Sequence, residues 1–185
     1  HLSVHSFPTR RSSDLGYSGF RLLASMEVNI NLDGSLDLSE EMLSRLDLVV
    51  SSIHSEMERP REEQTERIIR AMDNRYCTVI GHPTGRRIGS RPGYEVDIKR
   101  LADAAAERGV ALEINAQPER LDLDDRMAMV AASRGAKIAV STDAHAPGQL
   151  SFMRYGVGQA RRGWLAGESI VNSWNTHRLL EFAQR

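Results

Sequence analysis

Short apolar runs alternate along the chain with longer segments in which apolar residues recur at helical spacing. The runs predict five strands, at residues 21–31, 46–53, 77–80, 110–114 and 137–141. The intervening segments predict helices at 39–45, 60–73, 95–108 and 122–134, with Ser39 and Pro60 as start signals and Gly109 and Gly135 as stop signals. Strands that alternate with helices favour parallel β/α units, so the predicted fold class is α/β.

A side chain able to bind a metal lies at or just after the end of every predicted strand. In β/α barrels the carboxyl ends of the strands converge on one face, where the active site is built. We therefore expect these side chains to lie together. They are Glu27, His54, His82, Glu113 with Asn115, and Asp143 with His145. Among the histidines beyond residue 15, only His177, in a predicted C-terminal amphipathic helix, has no such position.

Each of these residues has a simpler interpretation when taken alone. A histidine after a strand is more often a hydrogen-bonded structural residue than a ligand, an Asp-x-His sequence is common by chance, and Glu27 alone could be a solvated carboxylate. Taken together, they form the mixed set of nitrogen and oxygen donors that suits Zn²⁺, Mn²⁺ or Fe²⁺, whereas Mg²⁺ and Ca²⁺ prefer oxygen alone. The pattern therefore predicts a metal site.

Composition limits the class of protein. The chain has 185 residues, 41% of them hydrophobic, which is enough for one sizeable core and a single domain. Lys and Arg total 24 against 25 for Asp and Glu, so any attraction to nucleic acid must be local. The only cysteine, Cys77, excludes an internal disulfide framework. No apolar run approaches the roughly 20 residues of a membrane span. These features predict a soluble, cytoplasmic protein.

Residues 1–15, HLSVHSFPTRRSSDL, show neither a helical nor a strand period, and we exclude them from the fold assignment. The part FPTRRSSDL resembles translated sequencing-adapter read-through, and a genuine disordered tail is the alternative. The chain also begins with His rather than Met. We therefore expect a non-native or disordered tail at 1–15, followed at 16–185 by a partial domain from a truncated gene.

Six segments, MEVNI, SSIHS, IGHPTGRRIG, LEINAQPERLDL, STDAH and LSFMRYGVGQARRGW, resemble in order and spacing the C-terminal PHP (polymerase and histidinol phosphatase) domain of bacterial family X DNA polymerases. PHP domains are distorted (β/α)7 barrels of the TIM type that hold up to three metal ions at the strand ends. The resemblance implies an incomplete barrel of this kind that lacks the first strands, because the family's first motifs precede the start of this chain. Asn29 stands where relatives often carry Asp.

The resemblance also implies roles for the residues at the strand ends. It implies a metal-binding set of Glu27, His54, His82, Asp143 and His145. Among these, His82, Asp143 and His145 would carry the catalysis, while Glu113 and Asn115 would orient the ligands. The chemistry implied is hydrolysis of phosphodiesters at DNA 3′ ends, with Mn²⁺ as the expected cation.

Arginines in this chain are candidates for contact with the DNA backbone, because arginine pairs with phosphate in a bidentate way. Arg86, Arg87 and Arg91 form a basic patch in the loop PTGRRIGSRPG, and Arg120 and Arg154 are further candidates. A solvated glycine-rich loop is the alternative interpretation of the patch. The expected partners are DNA and a polymerase domain upstream in the same parent chain. We expect the full-length parent protein to be a monomer.

Three functions remain open at this point. The first is a nuclease domain of a repair polymerase, the second a PHP phosphatase that acts on a small monoester such as histidinol phosphate, and the third a barrel that has lost catalysis and serves as a scaffold. The retained ligands argue against the scaffold. The GHPTGR and FMRYG segments, which are typical of the polymerase branch, favour the nuclease over the phosphatase.

Overall fold

A parallel sheet of five strands forms the centre of the structure, a computed structural model that describes residues 21–184. The strands are β1 (Ser25–Asn29), β2 (Leu48–Ser52), β3 (Val79–Ile80), β4 (Ala111–Asn115) and β5 (Lys137–Ser141). They pair in sequence order, each parallel to the one before it. The predicted α/β class is therefore confirmed. The tail expected at residues 1–15 lies outside the described residues.

Helices connect the strands. They are α1 (Glu40–Leu43), α2 (Arg61–Met72), α3 (Ile98–Arg108), α4 (Asp125–Ser133), α5 (Met153–Arg162) and α6 (Thr176–Ala183), with 3₁₀ turns at Pro147–Phe152, Gly167–Ser169 and Val171–Ser173. Three of the predicted signals act as expected. The Ser39 hydroxyl caps α1 by accepting the Met42 N–H. Gly109 ends α3 with φ 66°, and Gly135 follows the end of α4 with φ 91°, both in the left-handed conformation.

Two helix starts were predicted too early. The helix expected from residue 95 begins at Ile98 because the Asp97 side chain accepts the N–H groups of Lys99 and Arg100 and so caps it. The helix expected from residue 122 begins at Asp125, because Asp124 is the cap. Asp122 lies outside that helix and forms an isolated antiparallel bridge with Asn115. In both cases a second acidic residue nearby provides the better cap.

Three strands are shorter than predicted. The expected strands at 21–31, 46–53 and 77–80 shrink to Ser25–Asn29, Leu48–Ser52 and Val79–Ile80. The paired positions of β1 and β2 run only from Ser25 opposite Leu48 to Asn29 opposite Ser52. Pro60, expected as the first residue of a helix, precedes α2 as its cap residue. The fifth strand, Lys137–Ser141, has the predicted bounds.

The two faces of the sheet carry different side chains, because side chains alternate along a strand. In β4, Leu112 and Ile114 pack with the main core beneath the helices. Ala111 on the opposite face joins a smaller apolar cluster with Val79 and Val171, and Glu113 and Asn115 continue that face toward the carboxyl end. This face is therefore apolar at one end of the strands and polar at the other, where the site lies.

The closed barrel is not confirmed by this sheet. Within residues 21–184, β1 and β5 are the two edges of the five-stranded order. Ile170 makes a parallel bridge to Ile138 of β5, so the chain after α5 covers part of that edge. None of the described helices is both long and apolar enough to cross a membrane.

Candidate metal centre

The five residues predicted to bind metal line one cleft at the carboxyl end of the sheet. Its volume is about 360 Å³. Its lining comprises Glu27, His54, His82, Asp143 and His145 together with Arg87, Gln117, Glu119, Arg120 and Gln149. The structure thus brings the predicted residues to one cleft, and their role as ligands stays a prediction.

Glu27, His54 and His82 form the tightest group within the cleft. Glu27 Oε1 lies 2.9 Å from His82 Nε2 and 3.2 Å from His54 Nε2. The two imidazole rings meet edge to face, with centroids 5.3 Å apart. One ligand atom from each of the three residues lies within 4.8 Å of the other two. Ligands that surround a cation at roughly 2.0 to 2.2 Å have this separation, so the group fits a divalent metal.

The electrostatics of this group favour positive charge beside Glu27. Burial alone would raise the pKa of the Glu27 carboxyl, but hydrogen bonds to His54 and His82 outweigh burial and hold the pKa well below its usual range. Burial likewise opposes a charged His82, yet the hydrogen bond to Glu27 raises its pKa. A carboxylate that stabilises positive charge on the His82 imidazole attracts a divalent cation in the same place.

Backbone contacts fix where the two histidines stand. The His54 N–H donates to Asn29 Oδ1 at 3.3 Å, so the Asn29 amide group at the end of β1 holds this loop. His82 has φ 26°, a backbone conformation that residues other than glycine rarely adopt. Its N–H donates to Glu113 Oε2 at 2.5 Å. The preceding Gly81 is required by close packing, since a Cβ there would lie 2.4 Å from Ser52 Oγ.

Glu113 connects three strand ends. It is 5% exposed, and besides His82 it accepts hydrogen bonds from the Ser141 hydroxyl and, at 3.4 Å, from the Asn115 amide. Burial raises the pKa of the Glu113 carboxyl, and the Ser141 hydrogen bond opposes this shift. Glu113 thus contacts the His82 backbone, and its role in orienting a ligand stays a prediction.

Asp143 and His145 form the second part of the cleft. Asp143 has φ 47°, Asn115 Nδ2 donates to its Oδ2 at 3.1 Å, and Gln117 Nε2 donates to its carbonyl at 2.6 Å. His145 is largely exposed, with Nδ1 2.8 Å from the Asp143 carbonyl oxygen. Asp143 is therefore held by β4 and the loop after it, while the His145 ring has room to move.

The five candidate arginines differ sharply in their surroundings. Arg86 donates to the carbonyls of Arg120 and Leu121, and Arg91 donates twice to the carbonyl of Gly85. These two side chains brace the loop after β3. Arg87 is exposed on the cleft, and Arg154 lies over the Tyr155 ring on α5.

Arg120 is the buried member of the arginine set. It is 8% exposed, its Nε lies 3.8 Å from Asp143 Oδ2, and its buried Nη1 has no hydrogen-bond partner among the described residues. A buried guanidinium N–H without a partner costs free energy unless an acceptor reaches it. Arg120 is also one of the residues that line the cleft.

The brace made by Arg86 leads to a stability prediction. Arg86→Gln removes hydrogen bonds to two carbonyls that face the loop interior, so we expect a loss of about 1–3 kcal/mol in the free energy of unfolding. Arg87→Gln, at an exposed neighbour, is the matched control and is expected to change stability by less than about 0.5 kcal/mol. Thermal unfolding of both variants measures this. Equal melting temperatures, with DNA binding lost only in Arg86→Gln, would contradict this prediction and support a contact between Arg86 and the DNA backbone.

Sequence reasoning missed several residues of the site. Gln117 and Ser141 contact Asp143 and Glu113, and Asp122 is fully buried beside the loop that carries His82. Ser141 follows the period of two along β5, which places it on the face of Glu113, so its position could have been inferred. Nothing in the sequence distinguishes Asp122 from the helix-capping acids that follow it.

Comparisons with known proteins agree with the family indicated by the motifs. No protein-family model matches the chain. The DNA polymerase/3′-5′ exonuclease PolX of Bacillus subtilis is 38% identical over 169 residues, which cover 91% of this chain and 30% of that protein. The probable phosphatase TTE1963 of Caldanaerobacter subterraneus is 34% identical over 137 residues, 69% of this chain and 52% of that protein. The probable phosphatase YcdX of Escherichia coli is also 34% identical, over 69% of this chain and 54% of that protein.

The chain spans about a third of the B. subtilis protein and about half of each phosphatase. The chain therefore belongs to the PHP family, the group of PolX-type and phosphatase-type proteins that its strand-end motifs resemble.

Proposed function

We propose that this chain is a metal-dependent phosphoesterase that hydrolyses phosphodiester bonds at DNA 3′ ends. The observation that carries the proposal is the convergence of Glu27, His54 and His82 in a cleft that also holds Asp143 and Arg120. Such a cleft offers ligands to a cation and a guanidinium to a phosphate. The similar B. subtilis protein is a DNA polymerase/3′-5′ exonuclease, and we extend the exonuclease part of that name to this chain.

The proposed ligands are Glu27, His54, His82, Asp143 and His145, and the proposed cation is Mn²⁺, with Zn²⁺ or Fe²⁺ as alternatives. When bound, such cations lower the pKa of a water molecule and neutralise charge on the phosphoryl oxygens. The other residues hold these ligands in place: Glu113 fixes the backbone of His82, and Asn115 fixes the carboxylate of Asp143.

DNA is the proposed partner, and we propose different roles for the candidate arginines. In this proposal Arg120 contacts phosphate inside the cleft, and Arg87 at its rim and Arg154 on α5 contact the flanking DNA backbone. Arg86 and Arg91 shape the loop instead. We also propose that the sheet is the larger part of a distorted β/α barrel, because its polar strand ends converge on one cleft.

A small-molecule phosphatase is the second candidate. Two of the similar proteins are probable phosphatases, and a cleft of about 360 Å³ can enclose a small monoester. The exposed Arg87 at the rim of the cleft favours a longer substrate, because it can bind a second phosphate of a substrate that extends past the reacting one.

Hydrolysis of two substrates distinguishes these functions. The purified chain is incubated with Mn²⁺ and either a 5′-labelled oligonucleotide or histidinol phosphate. We expect stepwise shortening of the oligonucleotide from its 3′ end, abolished by a chelator, and little release of phosphate from the monoester. His177→Ala, on the exposed face of α6, is the control that should behave as wild type. Hydrolysis of the monoester alone supports the phosphatase, and hydrolysis of neither contradicts both functions.

A further inference from the structure

Three buried polar atoms lack a partner near His82. They are His82 Nδ1, Thr84 Oγ1 and Asp122 Oδ1, each shielded from solvent and without a hydrogen bond to any described residue. Buried polar groups in proteins are almost always hydrogen-bonded to protein or to ordered water. Three such atoms from residues in one region of the fold therefore call for a shared explanation.

The backbone holds these residues together. Asp122 Oδ2 accepts the Thr84 N–H at 3.0 Å, two residues after His82. Asp122 is itself fixed by hydrogen bonds with Asn115 in both directions, at 2.5 and 3.3 Å between N and O atoms. Burial raises the pKa of the Asp122 carboxyl, and the hydrogen bond from the Thr84 N–H and the nearby charge of His82 oppose this shift. The carboxylate is thus fully buried, is held against the loop that carries His82, and is not part of the cleft lining.

The two nitrogens of His82 face different surroundings. Nε2 points to Glu27 and the proposed metal, whereas Nδ1 is among the buried atoms without a partner. An imidazole that binds metal through one nitrogen usually donates the other N–H to a carboxylate, a carbonyl or a water, which fixes the ring and its tautomer. A buried water is stable where two to four polar groups can bind it.

We propose that Asp122 is a positioning residue for His82, acting through one buried water that His82 Nδ1–H, Asp122 Oδ1 and Thr84 Oγ1 share. This link holds the His82 ring with Nε2 directed at a divalent cation beside Glu27. The inference rests on the proposed metal site. It assigns a role to two residues, Asp122 and Thr84, that lie outside the cleft lining.

Asp122→Asn tests the carboxylate. The Thr84 N–H requires an acceptor, so the amide oxygen takes the place of Oδ2 and the NH₂ group replaces the free oxygen. An acceptor for the water becomes a donor. We expect Mn²⁺ affinity, measured by titration calorimetry, to fall by about 10- to 100-fold. Asp124→Asn, at the cap of α4, is the matched control and should leave Mn²⁺ affinity unchanged.

Two Thr84 variants separate positioning from packing and remain informative if Asp122→Asn does not fold. Thr84→Val keeps the shape but removes the hydroxyl, and Thr84→Ser keeps the hydroxyl but removes the methyl group. The shared water predicts weaker Mn²⁺ binding in Thr84→Val and near-normal binding in Thr84→Ser. The reverse order, or equal Mn²⁺ affinity in wild type, Thr84→Val and a folded Asp122→Asn, overturns the inference.

The same titration separates this inference from the proposed function. A wild-type chain that binds Mn²⁺ but hydrolyses no phosphate ester defeats the proposed function, and the order of affinities among the variants still decides the role of Asp122. A wild-type chain that binds no divalent cation overturns the inference itself.

Discussion

Asp143→Asn is expected to lose at least about 10³-fold in Mn²⁺-dependent release of nucleotides from a DNA 3′ end, equal to about 4 kcal/mol of transition-state stabilisation. The reason is the loss of charge from a proposed ligand that Asn115 and Gln117 hold in place through its side chain and its carbonyl. Without the carboxylate, the cation has both a weaker charge partner and a less defined position.

Asparagine is the appropriate replacement at this position. Asp143 has φ 47°, and asparagine tolerates the left-handed conformation better than most residues other than glycine. The variant therefore changes charge while the backbone of the loop is kept. Nuclease assays with a 5′-labelled oligonucleotide measure the rate, and a chelated sample gives the background. If the variant keeps wild-type activity, Asp143 is not a ligand of the metal.

The site was predictable from sequence to the extent that it depends on strand ends. Glu27, His54, His82, Asp143 and His145 could be grouped because parallel strands bring their carboxyl ends to one edge, and the structure places all five on one cleft. β5 was found with its predicted bounds because it is a short apolar run with clear stop signals. These features depend only on local patterns in the chain.

The features that could not be predicted depend on contacts between distant residues. Arg86 was a candidate DNA contact because arginine pairs with phosphate in a bidentate way and Arg86 belongs to a local basic patch. In the folded chain the loop carbonyls of Arg120 and Leu121 need donors, and Arg86 supplies them. Likewise, the run LDLDD offers three acidic residues as helix caps. Only the bridge from Asp122 to Asn115 decides that Asp124 is the cap.

Burial also changes which arginine is the best candidate for a contact with phosphate. In the sequence, Arg120 is only a further candidate beside the patch formed by the loop arginines. The fold makes it the buried guanidinium of the cleft, at 8% exposure beside Asp143. A charge in such a place interacts with an anion far more strongly than one in solvent, because water screens it less.

Replacing Arg120 is therefore expected to have the second largest effect. Arg120→Gln should reduce kcat/KM for 3′-end hydrolysis by about 10- to 150-fold, because the phosphate loses a charge-assisted hydrogen bond worth about 1.5–3 kcal/mol. Arg120→Lys should recover only part of the loss, since an ammonium group supplies the charge without the planar pair of N–H groups. The inhibition constant of inorganic phosphate should weaken in parallel, because phosphate occupies the same contact.

The matched control is Arg87→Gln at the exposed rim of the same cleft. Its loss should be small and should diminish as salt is raised, because exposed charges are screened. The effect of Arg120→Gln should persist at high salt, because a buried guanidinium is poorly screened. If inorganic phosphate inhibits Arg120→Gln with the same inhibition constant as wild type, Arg120 does not contact phosphate and serves only as a counter-ion for Asp143. The variant would then change the affinity for Mn²⁺ and leave KM unchanged.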